Sequence, residues 1–210
     1  MKKADIYEFF RRLREANPEP KSDLEWTNAY TLLVAVTLSA QATDAGVNKA
    51  TKELFKIADS PHKMQALGLE GLKSHIKTIG LYNNKAKNII AMADILIHDF
   101  GGEVPQTRED LMKLPGVGRK TANVVLNIVF QQPTMAVDTH IFRVSNRTGL
   151  APGKNPDQVE QALLKVVPDE FALHAHHWLI LHGRYTCKAR KPDCGSCAVY
   201  DLCGFEDKTA

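Results

Sequence analysis

Before position 187 this 210-residue chain contains no cysteine, so neither a disulfide framework nor thiol chemistry can involve most of its length. Long apolar runs are missing too. The most apolar stretch, residues 29–40, falls well short of the roughly 20 residues that span a bilayer. The N-terminus, Met1-Lys2-Lys3-Ala4-Asp5 leading into Ile6-Tyr7-Glu8-Phe9-Phe10-Arg11-Arg12, has no apolar core of a secretory signal. A reducing compartment is therefore expected. There is no convincing alternation of apolar and polar residues, no internal repeat and no low-complexity segment, which leaves no strand to predict. Charge of one sign is also scarce: 27 basic against 24 acidic residues leave a surplus of +3, too little by itself to imply a nucleic-acid partner.

Helical periodicity fills the space that these absences leave. Ile89, Ala93, Leu96, Ile97 and Phe100 recur at steps of three and four, the stripe of a helix over residues 84–100 with one buried face. Residues 29–40 are apolar nearly all round and read as a helix at the centre of a core. Asn155 before Pro156 supplies a side-chain cap and a first-turn proline for a helix through Val159, Ala162, Leu163 and Val166. Another is expected from about Asp169 to Tyr185. Thr107 with Asp110 resembles a capping box that uses aspartate, opening a short helix before Pro115. Trp26 and Trp178 read as core residues. The fold class is all-α.

The four cysteines stand as Cys187-x6-Cys194-x2-Cys197-x5-Cys203. Structural zinc usually takes two short chelating knuckles, and only Cys194 and Cys197 form one here. Four thiolates joined by longer loops suit a 4Fe–4S cluster better, with zinc and disulfides as the alternatives on spacing alone. Just before and within this set, Arg184, Lys188, Arg190 and Lys191 occur with no acidic residue between His182 and Lys191. That is either a local basic patch against the first ligand or an ordinary solvated loop.

Residues Leu114-Pro115-Gly116-Val117-Gly118-Arg119-Lys120-Thr121-Ala122 lie between two helical segments, the second from Lys120 to about Phe130. A dinucleotide fingerprint fails because Thr121 takes the third glycine position, and a P-loop fails because Arg119 separates Gly118 from Lys120. What remains is helix, tight turn, helix. Pro115 presets the turn, while Gly116 and Gly118 tolerate positive φ and leave no Cβ in the way of an approaching surface. Unpaired backbone N–H groups at the start of the second helix favour an anion such as a DNA phosphate.

This hairpin resembles the helix-hairpin-helix of the DNA base-excision glycosylases, and the likeness runs through the chain. Leu38-Ser39-Ala40-Gln41-Ala42-Thr43-Asp44, Gly80-Leu81-Tyr82-Asn83-Asn84-Lys85-Ala86, Val137-Asp138-Thr139-His140-Ile141-Phe142-Arg143-Val144, His182-Gly183-Arg184 and the cysteine set all resemble the bacterial endonuclease III family. The resemblance implies a continuous six-helix domain over 22–132 and a cluster domain made of 1–21 plus 133–210, with double-stranded DNA bound in the cleft between them. It implies a 4Fe–4S cluster on Cys187, Cys194, Cys197 and Cys203 that holds a DNA-binding loop without redox turnover. A monomer is the natural expectation for an enzyme that bends one duplex, no membrane partner is expected because no stretch spans a bilayer, and the expected location is cytoplasmic, associated with the nucleoid.

The chemistry implied is excision of oxidised pyrimidines followed by strand cleavage at the abasic site. A lysine amine can attack C1′, displace the base and form a Schiff base that drives β-elimination. Lys120 is the candidate nucleophile. Asp138, which the resemblance places across the cleft, would accept the lysine proton or stabilise positive charge on the sugar. Taken locally, Lys120 could be a plain phosphate contact and Asp138 a cap for the helix through Phe142. Because the target base must leave the stack, Gln41 and Leu81 match the family's wedge positions, with helix capping and core packing as their plainer readings. Arg119, Arg184, Lys188, Arg190, Lys191 and the hairpin backbone at Gly116 and Gly118 complete the expected DNA contacts. His174, His176 and His177 are spaced by two and one and do not aim together at a metal. Two alternatives stand beside this reading. One is a monofunctional adenine glycosylase of the same fold, against which Lys120 argues. The other is a non-catalytic, metal-containing DNA-binding module.

Overall fold

The computed structural model describes residues 1–209, and every regular element among them is helical. In chain order these are α1 (Lys3–Ala16), α2 (Ala29–Ser39), α3 (Asp44–Ile57), α4 (Pro61–Ile76), α5 (Tyr82–Phe100), α6 (Arg108–Leu111), α7 (Arg119–Ile128), α8 (Thr139–Thr148), α9 (Pro156–Val166) and α10 (Asp169–Leu181). A π-helical segment His182–Thr186 and a 3₁₀ turn Tyr200–Leu202 follow. The chain divides into two compact units, Ser22–Phe130 and the paired segments Met1–Lys21 with Gln131–Ala210.

In the continuous unit α2 is buried on all sides, as its composition requires: Leu32, Leu33, Val34, Ala35 and Leu38 are fully enclosed. Each large side chain removed from water there stabilises the unit by roughly 1.5–3 kcal/mol. The helix begins at Asn28, whose side-chain oxygen accepts the Thr31 amide at 2.9 Å while the Thr31 hydroxyl oxygen accepts the Asn28 amide at 2.9 Å. That reciprocal pair is a capping box with threonine in place of the usual glutamate. Helix α5 ends on Gly101 at φ 61°, where the Gly102 amide closes back onto the Leu96 carbonyl at 2.7 Å. Inside the span Pro61–Ile76 the helix is interrupted at Gly68, φ 74° and ψ 172°.

The split unit is held by aromatic packing between the two ends of the chain. Phe9 and Phe10 of α1 are fully buried with Phe171 of α10. Phe10 stacks on Phe171 at 5.9 Å, and Phe171 meets Trp178 edge-on at 6.1 Å. The Trp178 indole donates to the Asn17 carbonyl at 2.7 Å, which satisfies its one polar group. Arg12 adds an ion pair to Asp201 at 2.6 Å, fastening α1 beside the 3₁₀ turn.

Four local expectations need correction. Trp26 is 39% exposed; it lies in the irregular segment before α2, outside any helix. The helix expected to reach Tyr185 is α-helical only to Leu181 and then widens into the π-turn. There Gly183 abuts α8 so closely that a Cβ would stand 2.8 Å from the Cβ of His140. At α6 the Thr107 hydroxyl does accept the Asp110 amide at 3.1 Å. The Asp110 carboxylate, one methylene shorter than glutamate, instead accepts a hydrogen bond from the Thr107 hydroxyl at 2.8 Å, so only half of a capping box forms. Finally, Gly118 sits at φ −93°, so of the two hairpin glycines only Gly116, at φ 81°, requires a left-handed backbone.

Candidate active site

The hairpin joins α6 to α7 through Met112–Gly118. The Val117 amide donates to the Leu114 carbonyl at 3.1 Å, which closes the turn. A Cβ on Gly116 would press on Asn88 Nδ2 at 3.1 Å and Thr37 Cγ2 at 3.2 Å, so the position is closed on its inner side as well as left-handed. Gly118 differs: a Cβ there would meet nothing within 4 Å. It is the N-cap of α7 and offers no side chain to the first amides of the helix, the end at which the helix dipole favours an anion. Arg119 and Lys120 occupy the first turn, both exposed.

Two other turns of this unit carry non-glycine residues with left-handed backbones, Gln41 at φ 59° and Leu81 at φ 60°. Such conformations cost about 1 kcal/mol or more and persist where the surroundings impose them. Leu81 is 60% exposed, not core, and Gln41 lies beyond the end of α2, whose C-cap is Ala40. The residue that caps α2 is one the sequence did not single out. Lys85 of α5 is buried, and its ammonium donates to the Leu38 carbonyl at 2.9 Å and the Ala40 carbonyl at 2.5 Å. Burial pulls its pKa below the ordinary lysine value. Only its position in α5, facing the open end of α2, marks it.

In the split unit, Asp138 is the N-cap of α8, and its Oδ1 accepts the amides of His140 and Ile141, both at 2.9 Å. The carboxylate is half-buried. Further along α8 two arginines strap down the π-turn and the segment that follows it. Arg143 donates to the carbonyls of Gly183 at 2.7 Å and Cys187 at 2.9 Å. Arg147 donates to those of Lys188 at 2.6 Å and Ala189 at 2.9 Å. Sequence patterning missed both as positioning residues, because their acceptors are backbone carbonyls some forty residues away.

The strapped segment begins the cysteine loop. All four cysteines are free and partly buried, so no disulfide joins them, and all four line one cavity with His182 and Phe205. Donors reach the sulfurs from the wall: Arg147 to Cys187 Sγ at 3.8 Å and the Phe205 amide to Cys203 Sγ at 3.5 Å. His182 Nε2 lies 3.8 Å from Cys197 Sγ. Burial pushes the Cys197 thiol up, and the three other sulfurs push it the same way; thiolates gathered like this need a cationic partner. Four thiols around one cavity are the donor set that a four-cysteine iron–sulfur cluster takes. The basic loop projects from it, with Lys188, Arg190 and Lys191 exposed and Arg184 half-buried in the π-turn.

The histidines of α10 are structural. His176 is buried and its Nδ1 accepts the Ala136 amide at 3.3 Å, and His174 packs on Trp178 at 5.6 Å. Burial, with His174 nearby, lowers the pKa of His177 to about 4.

Comparison with known proteins agrees with this geometry. Residues 34–169 match the model of the HhH-GPD superfamily of base excision DNA repair proteins, and residues 187–203 match the iron-sulfur binding domain of endonuclease III. The chain is 61% identical to endonuclease III of Escherichia coli (strain K12) over 99% of both chains. It is 60% identical to that of Haemophilus influenzae, again over 99% of both. A solved structure of a trapped endonuclease III–DNA covalent intermediate with an estranged adenine superposes with a TM-score of 0.90 at 46% identity, covering 97% of this chain and 96% of that one.

Proposed function

The chain belongs to the HhH-GPD superfamily of base excision DNA repair proteins, within its endonuclease III family, and from that premise we propose that it is a bifunctional DNA N-glycosylase and abasic-site lyase acting on oxidised pyrimidines in duplex DNA. The observation that carries the reading is an exposed lysine, Lys120, in the first turn of a helix whose N-terminal amides have no side-chain cap. Those amides and Arg119 bind a backbone phosphate, which brings the Lys120 amine to the adjoining sugar.

The Lys120 nitrogen attacks C1′ as the C1′–N bond to the damaged base breaks, and the base leaves with the bonding pair and takes up a proton. Positive charge grows on the sugar as that bond lengthens, and the Asp138 carboxylate is the group assigned to stabilise it or to accept the proton that the amine loses. Opening of the ring at O4′ leaves an iminium joining Lys120 to C1′. That electron sink acidifies C2′–H, and loss of the proton expels the 3′ phosphate oxygen by β-elimination. Water then hydrolyses the iminium, freeing Lys120 and leaving an unsaturated aldehyde on the 3′ end.

Reaching C1′ requires the nucleotide to leave the stack, at a cost of a few kcal/mol. Gln41 hydrogen-bonds the widowed base and Leu81 fills the vacated space. Exposed on left-handed turns, both are presented to a partner instead of to the core. Cys187, Cys194, Cys197 and Cys203 hold a 4Fe–4S cluster that, when bound, fixes the loop carrying Lys188, Arg190 and Lys191, and these residues neutralise phosphates from the second unit. An enzyme with this substrate works at the nucleoid. Borohydride reduction during reaction with a thymine-glycol duplex should trap a covalent protein–DNA adduct, and Lys120→Gln should abolish it. A monofunctional adenine glycosylase or a non-catalytic module would give no adduct with either protein.

A further inference from the structure

Lys85 is the one buried lysine among the described residues, and both hydrogen-bond acceptors of its ammonium are carbonyls, not carboxylates. An amine is desolvated there for a purpose other than pairing charges. Its position supplies one. The ammonium sits at the C-terminus of α2, where the helix dipole favours a cation, and it grips the carbonyls of Leu38 and Ala40 directly ahead of Gln41. The backbone of the same residue is tied to the other wedge, since the Lys85 amide donates to the Leu81 carbonyl at 3.1 Å. Gln41 and Gly80, the neighbour of Leu81, line the same open pocket. One residue thus links two turns, each with a strained left-handed residue at its tip.

We propose that Lys85 is a positioning residue that fixes Gln41 and Leu81 relative to one another, so that both enter the DNA in register when the nucleotide is extruded. The inference rests on the wedge roles given to those two residues above. It gives the buried charge that caps α2 a task in opening DNA and none in the chemical step.

The test uses the whole protein and thymine-glycol duplexes with 2-aminopurine as the base opposite the lesion, whose fluorescence reports loss of stacking. Lys85→Met removes both ammonium bonds and Lys85→Gln keeps one neutral donor; rates are normalised to the borohydride-trappable fraction. Single-turnover excision and the fluorescence rise should fall together, about ten- to a hundredfold for Met and less for Gln, the range expected when a group is displaced by about 1 Å. In the Gln41→Ala, Leu81→Ala background, adding Lys85→Met should cause no further loss. If Lys85→Met does not fold, the same cycle run with Lys85→Gln decides. Additive losses, or a slower chemical step with normal fluorescence, would overturn the proposal while leaving the wedge reading intact. If Gln41→Ala and Leu81→Ala leave the fluorescence unchanged, the wedge reading itself fails.

Discussion

One oxygen of Asp138 accepts the backbone amide of Ile141 at 2.9 Å and that of His140 at the same distance, so the carboxylate assigned to the sugar is also the N-cap of α8. A cap uses lone pairs that asparagine can also supply, whereas stabilising a cationic sugar needs the negative charge. The two duties are separable by substitution.

Asp138→Asn should therefore leave the melting temperature close to that of the parent and lower single-turnover excision by at least a hundredfold. Asp138→Ala should lose activity to a similar extent and also about 1 kcal/mol of stability, the usual value of a cap. Denaturant unfolding and excision assays on the same preparations check both. Equal activity of the parent and Asp138→Asn would remove Asp138 from the chemistry.

Lys120 is exposed, and exposed substitutions away from special features cost within about 0.5 kcal/mol. Lys120→Gln should keep the fold and the visible absorption of the cluster, bind lesion duplex within a fewfold of the parent, and cut no strand. Residual strand scission at a tenth of the parent rate would point to another nucleophile.

The hairpin glycines should fail in different ways. Gly116→Ala combines φ 81° with contacts at 3.1 and 3.2 Å and should cost about 2 kcal/mol of folding stability. Gly118→Ala meets open space at an ordinary φ, so unfolding should be unchanged while affinity for duplex DNA falls, because the new methyl stands where a phosphate approaches.

Removing charge from the basic loop should appear in salt dependence before it appears in catalysis. Each of Lys188→Ala, Arg190→Ala and Lys191→Ala should reduce the slope of log affinity against log salt by about one where that side chain meets a phosphate. Titrations from 50 to 200 mM salt give the slope, and a triple variant with the parent's slope would place the DNA elsewhere.

Acid should weaken the split unit through His177. Its folded pKa of about 4 lies below the 6.5 of an unburied histidine, so the unfolded chain binds a proton more readily. The stability tied to this group is intact above pH 6.5 and is lost as pH falls toward 4, about 2 kcal/mol in all for a half-buried group. Unfolding at pH 7 and pH 4.5 should show a smaller loss for His177→Gln than for the parent.

Much of this molecule was legible in one dimension. The stripe from Ile89 to Phe100, the Asn155–Pro156 start and the all-round apolar α2 follow from periods and caps that neighbouring residues decide among themselves, and the cysteine spacing and hairpin motif carry their chemistry in side-chain identity. Trp26, the π-turn at Gly183 and the ordinary φ of Gly118 were not legible, because burial and backbone angle depend on what packs from elsewhere. The sequence alone determined that the chain is helical, where its ligands and candidate nucleophile stand, and which family it resembles. Only the tertiary structure decided that Lys85 closes α2, that Arg143 and Arg147 hold the cysteine loop, and that Gln41 and Leu81 stand on left-handed turns. The first two are hydrogen bonds between residues remote in the chain and the third is backbone strain that the surroundings impose, and no local pattern encodes a partner forty positions away.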